Sequence, residues 1–216
     1  MGRRKSEPLC VHREQILVCA EKLFIKKGIK ATSMDEIAKE SKYSKATLYV
    51  YFKNKEEIIN ILVLKSMKKL FEYIIDAIAK QTSIKEKYDC ICYGLVKYQE
   101  EFPFYFDMVI DKIDINFDNK DYLYEESEIY QIGEKINMVI KSFLDEGINN
   151  GEIRFDIKTI PTIISFWAML SGLIQMASKK EEYIVKELKM SKEEFLDYGF
   201  NILYRSISQE RAYESR

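Results

Sequence analysis

An all-α fold, in which an N-terminal three-helix unit is joined by a long helix to a helical body, is predicted by three observations. The 216 residues hold only 3 prolines and 8 glycines, too few for a turn-rich β architecture. Apolar residues recur at three- and four-residue spacing over most of the chain. Ser or Asn stands three residues ahead of Glu at Ser33–Glu36, Asn54–Glu57 and Ser191–Glu194. That spacing marks a helix start whose free backbone N–H groups are capped.

Each element follows from local chemistry. Residues 11–27 place Ile16, Ala20, Leu23 and Phe24 on one face. Gly28 ends this helix, because it takes a positive φ without a side-chain clash. Ser33 opens a second helix, with Ile37 and Ala38 facing inward and an end near residues 41–42. Ser44 caps a third over residues 45–51, in which Leu48 and Phe52, four apart, face the core. Three helix starts within about two dozen residues leave short helices and tight turns, the geometry of a helix-turn-helix.

From Asn54 the pattern stays helical to about residues 79–80. No Gly, Ser or Pro linker interrupts it, so a rigid rod leaves the three-helix unit at about 1.5 Å per residue. Thr82 or Ser83 caps the next helix, 84–101, and Pro103 suits the first turn of a short one. Residues 116–120 read as a polar loop. A long helix over 122–146 is expected to end at Gly147 and Asn149-Asn150-Gly151. Residues 160–178, with Pro161 near the start and the only tryptophan, Trp167, form the most apolar helix. A charged connector, 179–189, leads to the last helix, 193–207. Residues 1–10 are expected to be a disordered arm and the tail after Ser208 to fray.

The net charge of −1 excludes nothing, but its distribution does. Residues 1–55 hold 13 Lys/Arg against 6 Asp/Glu, a net of +7. The remaining residues hold 21 of the 34 basic and 29 of the 35 acidic side chains, a net of −8. A basic head on an acidic body is the footprint of a chain that meets a phosphate backbone. Cys10, Cys19, Cys90 and Cys92 lack zinc-site spacing, and His12 is the only histidine, so reduced structural thiols are expected and no metal site. No apolar run is read as reaching the length of a membrane span, and the basic start Met1–Lys5 has no apolar stretch behind it. Cytoplasmic residence without a membrane partner is the expectation.

The third helix carries side chains suited to reading duplex DNA. Ser44, Lys45, Ala46 and Thr47 lie at the end that approaches base edges in this docking mode. Lys45 can donate to guanine O6 or N7, Thr47 can bond a base or touch a thymine methyl, and small Ala46 lets the backbone come close. Tyr49 and Tyr51 carry hydroxyls that reach phosphate, and Lys53 and Lys55 follow. Lys55 stands at a helix N-terminus, where backbone N–H groups favour an anion.

The runs Thr32-Ser33-Met34-Asp35-Glu36-Ile37-Ala38 and Ser44-Lys45-Ala46-Thr47-Leu48-Tyr49-Val50-Tyr51-Phe52-Lys53-Asn54-Lys55-Glu56-Glu57 closely resemble the DNA-binding domain of TetR-family transcriptional regulators. The resemblance covers about the first quarter of the chain. It implies a DNA-binding unit over 1–55, with Thr32, Ser33, Lys42 and Tyr43 added to the contact set, and an effector-binding and dimerisation unit over 56–216. Two positions depart from the family pattern. Lys42 stands where a turn glycine is common, and Tyr43 where a small aliphatic residue is common. Lys42 is expected to hold a strained turn and to add a positive charge beside the groove.

In the same family the last two long helices build a four-helix interface around a two-fold axis. Here that implies Ala168, Gly172 and Gln175 on one helix and Phe195, Phe200 and Leu203 on the other. The helix around Trp167 is apolar on more than one side, and Ala168, Ser171 and Gly172 permit close approach. A homodimer matches a palindromic double-stranded operator. Tyr93, Tyr98, Phe102, Phe104, Tyr105, Phe106, Phe166 and Trp167 suit an apolar or planar effector, and also read as plain core. Asp107, Asp111 and Asp114 read as the wet face of a helix rather than a metal cluster. One histidine, no Glu-x-x-His pair, no Ser-His-Asp set and no phosphate loop leave no catalytic set and no cofactor site. The reading is a ligand-responsive regulator, a repressor released from DNA by a small apolar effector. A helical ligand carrier without operator binding and an activator on the same fold are the alternatives.

Overall fold

The computed structural model describes residues 9–79, 81–112 and 124–209. The helices are α1 Leu9–Lys27, α2 Met34–Glu40, α3 Lys45–Tyr51, α4 Lys55–Ile78, α5 Ile84–Glu101, α6 Pro103–Lys112, α7 Tyr124–Asn149, α8 Thr159–Lys179, α9 Glu181–Tyr183 and α10 Lys192–Ile207. Among the described residues there is no strand. One isolated antiparallel bridge pairs Ile153 with Ser208. The all-α expectation holds. The 116–120 loop, Tyr122, Asp114, most of the N-terminal arm and the end of the tail lie outside the described residues.

The caps explain the starts. Ser33, Ser83 and Ser191 each accept from a backbone N–H three residues on, while Glu36, Glu86 and Glu194 reach back to the cap's own N–H. Asn54 accepts from the Glu57 N–H, but Glu57 turns its carboxylate to the Lys53 N–H and to Arg13. α2 closes through Lys42, whose φ of 62° lies in the left-handed region. The Lys42 N–H donates to the Lys39 carbonyl and the Tyr43 N–H to the Ala38 carbonyl. Glycine would occupy that turn freely, whereas a side chain there costs about 1–2 kcal/mol.

α1, α2 and α3 pack round Ile16, Ala20, Phe24, Ile37, Leu48 and Phe52, all buried. α4 carries that core onward, burying Ile58, Leu62, Met67, Leu70 and Ile74 between α1 and the helices α5, α6 and α7. Its 24 residues span roughly 36 Å at the ordinary helical rise. Buried Ser66 satisfies its hydroxyl on the Leu62 carbonyl, and the Tyr98 hydroxyl donates to the Ser66 carbonyl at 3.1 Å. No buried side-chain polar atom among the described residues is left without a partner.

Three expectations are corrected. α7 does not end at Gly147: it runs to Asn149, and Gly151 at φ 69° supplies the turn. Gly147 is there because Ile153 folds back on it, and a Cβ would meet the Ile153 side chain at 2.5–2.7 Å and Ile84 at 3.2 Å. The connector at 179–189 is largely helical, with α9 continuing into a π-helical turn, Ile184–Leu188, that buries Ile184 and ends at Lys189 in the left-handed region. α8 is long and apolar enough to cross a membrane by length and composition, where the sequence reading found no such run. Its Ser165, Ser171 and Gln175 are scattered among apolar residues, so no uninterrupted stretch stands out. In the fold Ile163, Leu170, Ile174 and Ala177 form its buried face, and α8 lies against α7 and α10.

Gly147→Ala should therefore overpack the α7–Ile153 contact and lower stability by about 1–3 kcal/mol. A urea unfolding midpoint equal to that of the unmodified chain would show that Ile153 can move aside.

Candidate nucleic-acid interface

The helix-turn-helix expected at residues 33–51 is α2, a left-handed turn and α3. Leu48 and Phe52 are buried on the inner side of α3. That rotation turns Lys45, Ala46, Tyr49 and Val50 outward, with Val50 77% and Tyr49 46% exposed. Ser44 holds the start: its hydroxyl accepts from the Thr47 N–H at 3.0 Å and lies 2.7 Å from the Thr47 hydroxyl. Thr47 is thus half-buried and taken up in the cap. Lys42 and Lys53 are exposed at either end of the helix.

Four expected contact residues are engaged inside the head. Thr32 is buried and donates its hydroxyl to the Gly28 carbonyl at 2.9 Å. Lys55 donates its ammonium to the carbonyls of Ile29 and Thr32, each at 2.9 Å. It staples the α1–α2 turn to the start of α4. Tyr43 donates to Gln15 Oε1 at 2.9 Å, and its hydroxyl lies 2.6 Å from His12 Nδ1. Tyr51 leans on the same His12 ring, 6.1 Å between centroids. The aromatic residue at 43 therefore ties α1 to the turn before α3 and to Tyr51 within it.

Exposed Ser33 keeps its hydroxyl within the α2 cap, donating to Glu36 Oε2 at 2.8 Å. Lys45 pairs with Asp35 on α2, Nζ to Oδ1 2.7 Å, with both side chains more than half exposed. That carboxylate holds the Lys45 ammonium pKa above its ordinary value. The Glu36 carboxyl is pulled down to about 2, first by the Lys27 ammonium and then by the Ser33 N–H and hydroxyl. Sequence reasoning missed Val50 and Asp35. Burial of Leu48 and Phe52 could have pointed to Val50, which lies on the opposite side of the same helix.

Residues 16–61, the segment holding these features, match the family model described as bacterial regulatory proteins, tetR family. The chain belongs to the TetR family. This TetR-family transcriptional regulator is 25% identical over 175 residues to the fatty acid metabolism regulator protein of Bacillus subtilis, covering 72% of this chain and 82% of that one. The biofilm operon negative transcriptional regulator IcaR of Staphylococcus epidermidis is 35% identical over 96 residues, 44% of this chain and 46% of that protein. The TetR family transcriptional regulator PfmR from Thermus thermophilus shares the fold at TM-score 0.64 and 23% identity, covering 88% of this chain and 97% of that one.

In the body of this TetR-family protein, α4, α6, α7 and α8 line a half-open cavity of about 740 Å³. Met67, Ile110, Tyr130, Gly133, Trp167 and Gly172 are among its lining residues. Of the eight aromatics expected in a pocket, Trp167 lines this cavity and, with Phe166, a smaller apolar one of about 40 Å³. The other six do not line either. Tyr98 and Phe106 are buried core, Tyr105 stacks on Phe102 and meets Phe104 at a tilt, and exposed Tyr93 packs edge-on to Phe200.

The expected interface residues also divide. Ala168, Gly172 and Gln175 line the large cavity, and Phe195 and Leu203 are half-buried. Phe200 is buried within its own chain, so it has no surface to offer. The close crossing of α8 and α10 depends on Gly199, where a Cβ would strike Leu173, and not on Gly172, which has open space around it. Buried Cys92 has its thiol pushed up to about 12, first by desolvation, which keeps it protonated and inert.

A carboxyl lowered in the folded state contributes stability above its ordinary value of 4.5 and loses it as pH falls toward 2. An NMR titration should place the Glu36 midpoint near 2, and Ser33→Ala should raise it while costing about 1 kcal/mol of stability. A midpoint near 4.5 in the unmodified chain would contradict the capping geometry.

Proposed function

We propose that this regulator is a cytoplasmic repressor that binds a palindromic operator as a homodimer when empty and releases it when a small, mostly apolar effector enters the large body cavity. The observation that carries this reading is the outward face of α3, built from Lys45, Ala46, Tyr49 and Val50 and held by the Ser44 cap and the buried Leu48–Phe52 edge. The division of labour follows the chain, with residues 1–55 as the DNA-binding unit and 56–216 as the effector and dimer unit. The relative named a negative regulator supports repression over activation.

A two-fold mate is supported by the apolar residues left exposed on neighbouring helices. Ile160, Met169 and Met176 of α8 and Tyr198 and Ile202 of α10 are each at least two-fifths exposed. Apolar surface of this kind on adjoining elements is usually covered by a partner.

The cavity volume falls in the range of small-molecule sites, and its lining is mainly aliphatic and aromatic. α7 links it to the head. Its middle lines the cavity through Tyr130 and Gly133, while its first turn reaches the DNA-binding unit. Glu125 stands 3.8 Å from Arg13 of α1, and Glu126 accepts from the Asn60 amide of α4 at 3.3 Å. An effector that favours one position of α7 thereby biases the position of α1 and the helix beside it, which is the differential affinity that release requires.

The test is binding of the full-length chain to the DNA upstream of its own gene. Lys45→Ala and Tyr49→Ala should each reduce specific affinity by tenfold or more while the thermal midpoint stays within a few degrees, since both side chains are exposed. Specific binding unchanged in both variants would overturn the assignment of α3.

A further inference from the structure

We propose that Asp35 and Lys45 act together as a preformed donor–acceptor couple that reads one G·C pair in each half-site. This rests on the placement of α3 in the major groove. An exposed Lys–Asp pair adds little to stability. An acidic side chain beside a helix that meets a polyanion also works against binding, unless the DNA supplies a donor for it. The major groove holds two such donors, the amino groups of cytosine and adenine.

The geometry favours cytosine. Lys45 Nζ and Asp35 Oδ1 are 2.7 Å apart. Guanine O6 and cytosine N4 of one pair, bonded to each other, are about 2.9 Å apart. An ammonium and a carboxylate at that spacing meet O6 and N4 side by side, and the ammonium has further protons for guanine N7. On an A·T pair thymine O4 and adenine N6 offer a similar spacing, but O4 has a methyl group rather than a second acceptor beside it on its own base, so the lysine keeps one bond where guanine offers two. Glu36, the other acidic residue in the first turn of α2, is taken up by Ser33 and Lys27. Asp35 alone is directed to the recognition helix.

The experiment selects duplexes from a random pool with the full-length protein, then replaces each G·C pair of the best duplex by A·T. The unmodified chain should show one pair per half-site whose replacement weakens binding by roughly tenfold to a hundredfold. Asp35→Ala and Lys45→Ala should each shrink that penalty to less than about threefold at the same pair, and the double variant should shrink it no further. If Lys45→Ala removes the penalty while Asp35→Ala keeps it whole, the couple is wrong and α3 still reads DNA. If both variants keep every penalty, or if no duplex is enriched, the placement of α3 fails and the couple with it.

Discussion

Burial of Leu48 and Phe52 is the constraint on which the head depends. The two side chains, four residues apart, fix the rotation of α3 about its own axis against α2 and the buried core that α2 shares with α1. A seven-residue helix has too few hydrogen bonds to persist alone, so this packing and the Ser44 cap together make it a helix at all. The same rotation decides which side chains face outward. The charged and polar groups that can meet DNA are exposed because their apolar neighbours are not.

The head is not tethered loosely to the body. Lys55 binds the α1–α2 turn to the first residue of α4, and α4 continues without a break into the body core. Arg13 extends the connection: its guanidinium donates to Glu57, stands over the Phe52 ring at 5.1 Å, and comes near Glu125 at the start of α7. One cation on α1 thus meets the end of α3, the rod and a cavity-lining helix. The start of α7 and the end of α3 are joined by packed and charged contacts through Arg13 rather than by a flexible linker.

What could be read from sequence is what local chemistry decides. Ser33, Ser44, Asn54, Ser83 and Ser191 fixed helix starts because a cap involves residues only three apart. The strained turn at Lys42 came instead from the family resemblance, which puts a glycine there, and its φ of 62° agrees. Tertiary contacts were not legible. Gly147 looks like a helix end until Ile153 is seen resting on it. The aromatic crowd from Tyr93 to Phe106 looks like a pocket, but Tyr98 and Phe102 pack on Tyr73 of α4 and Tyr93 packs on Phe200 of α10. The actual cleft is lined by Gly133 of α7 and by the small residues Ala168, Ser171 and Gly172 of α8, and a space left by small side chains has no sequence period of its own. The pairing of Asp35 with Lys45 crosses two helices and was equally hidden.

The central claim is that the outer face of α3 enters a groove of duplex DNA. Backbone-amide NMR of the full-length protein, recorded with and without operator duplex, tests it most directly. The account predicts the largest shifts at residues 44–50, with smaller ones at the first turn of α2. Amides of α3 left unmoved by saturating operator, with shifts confined to the body, would contradict it.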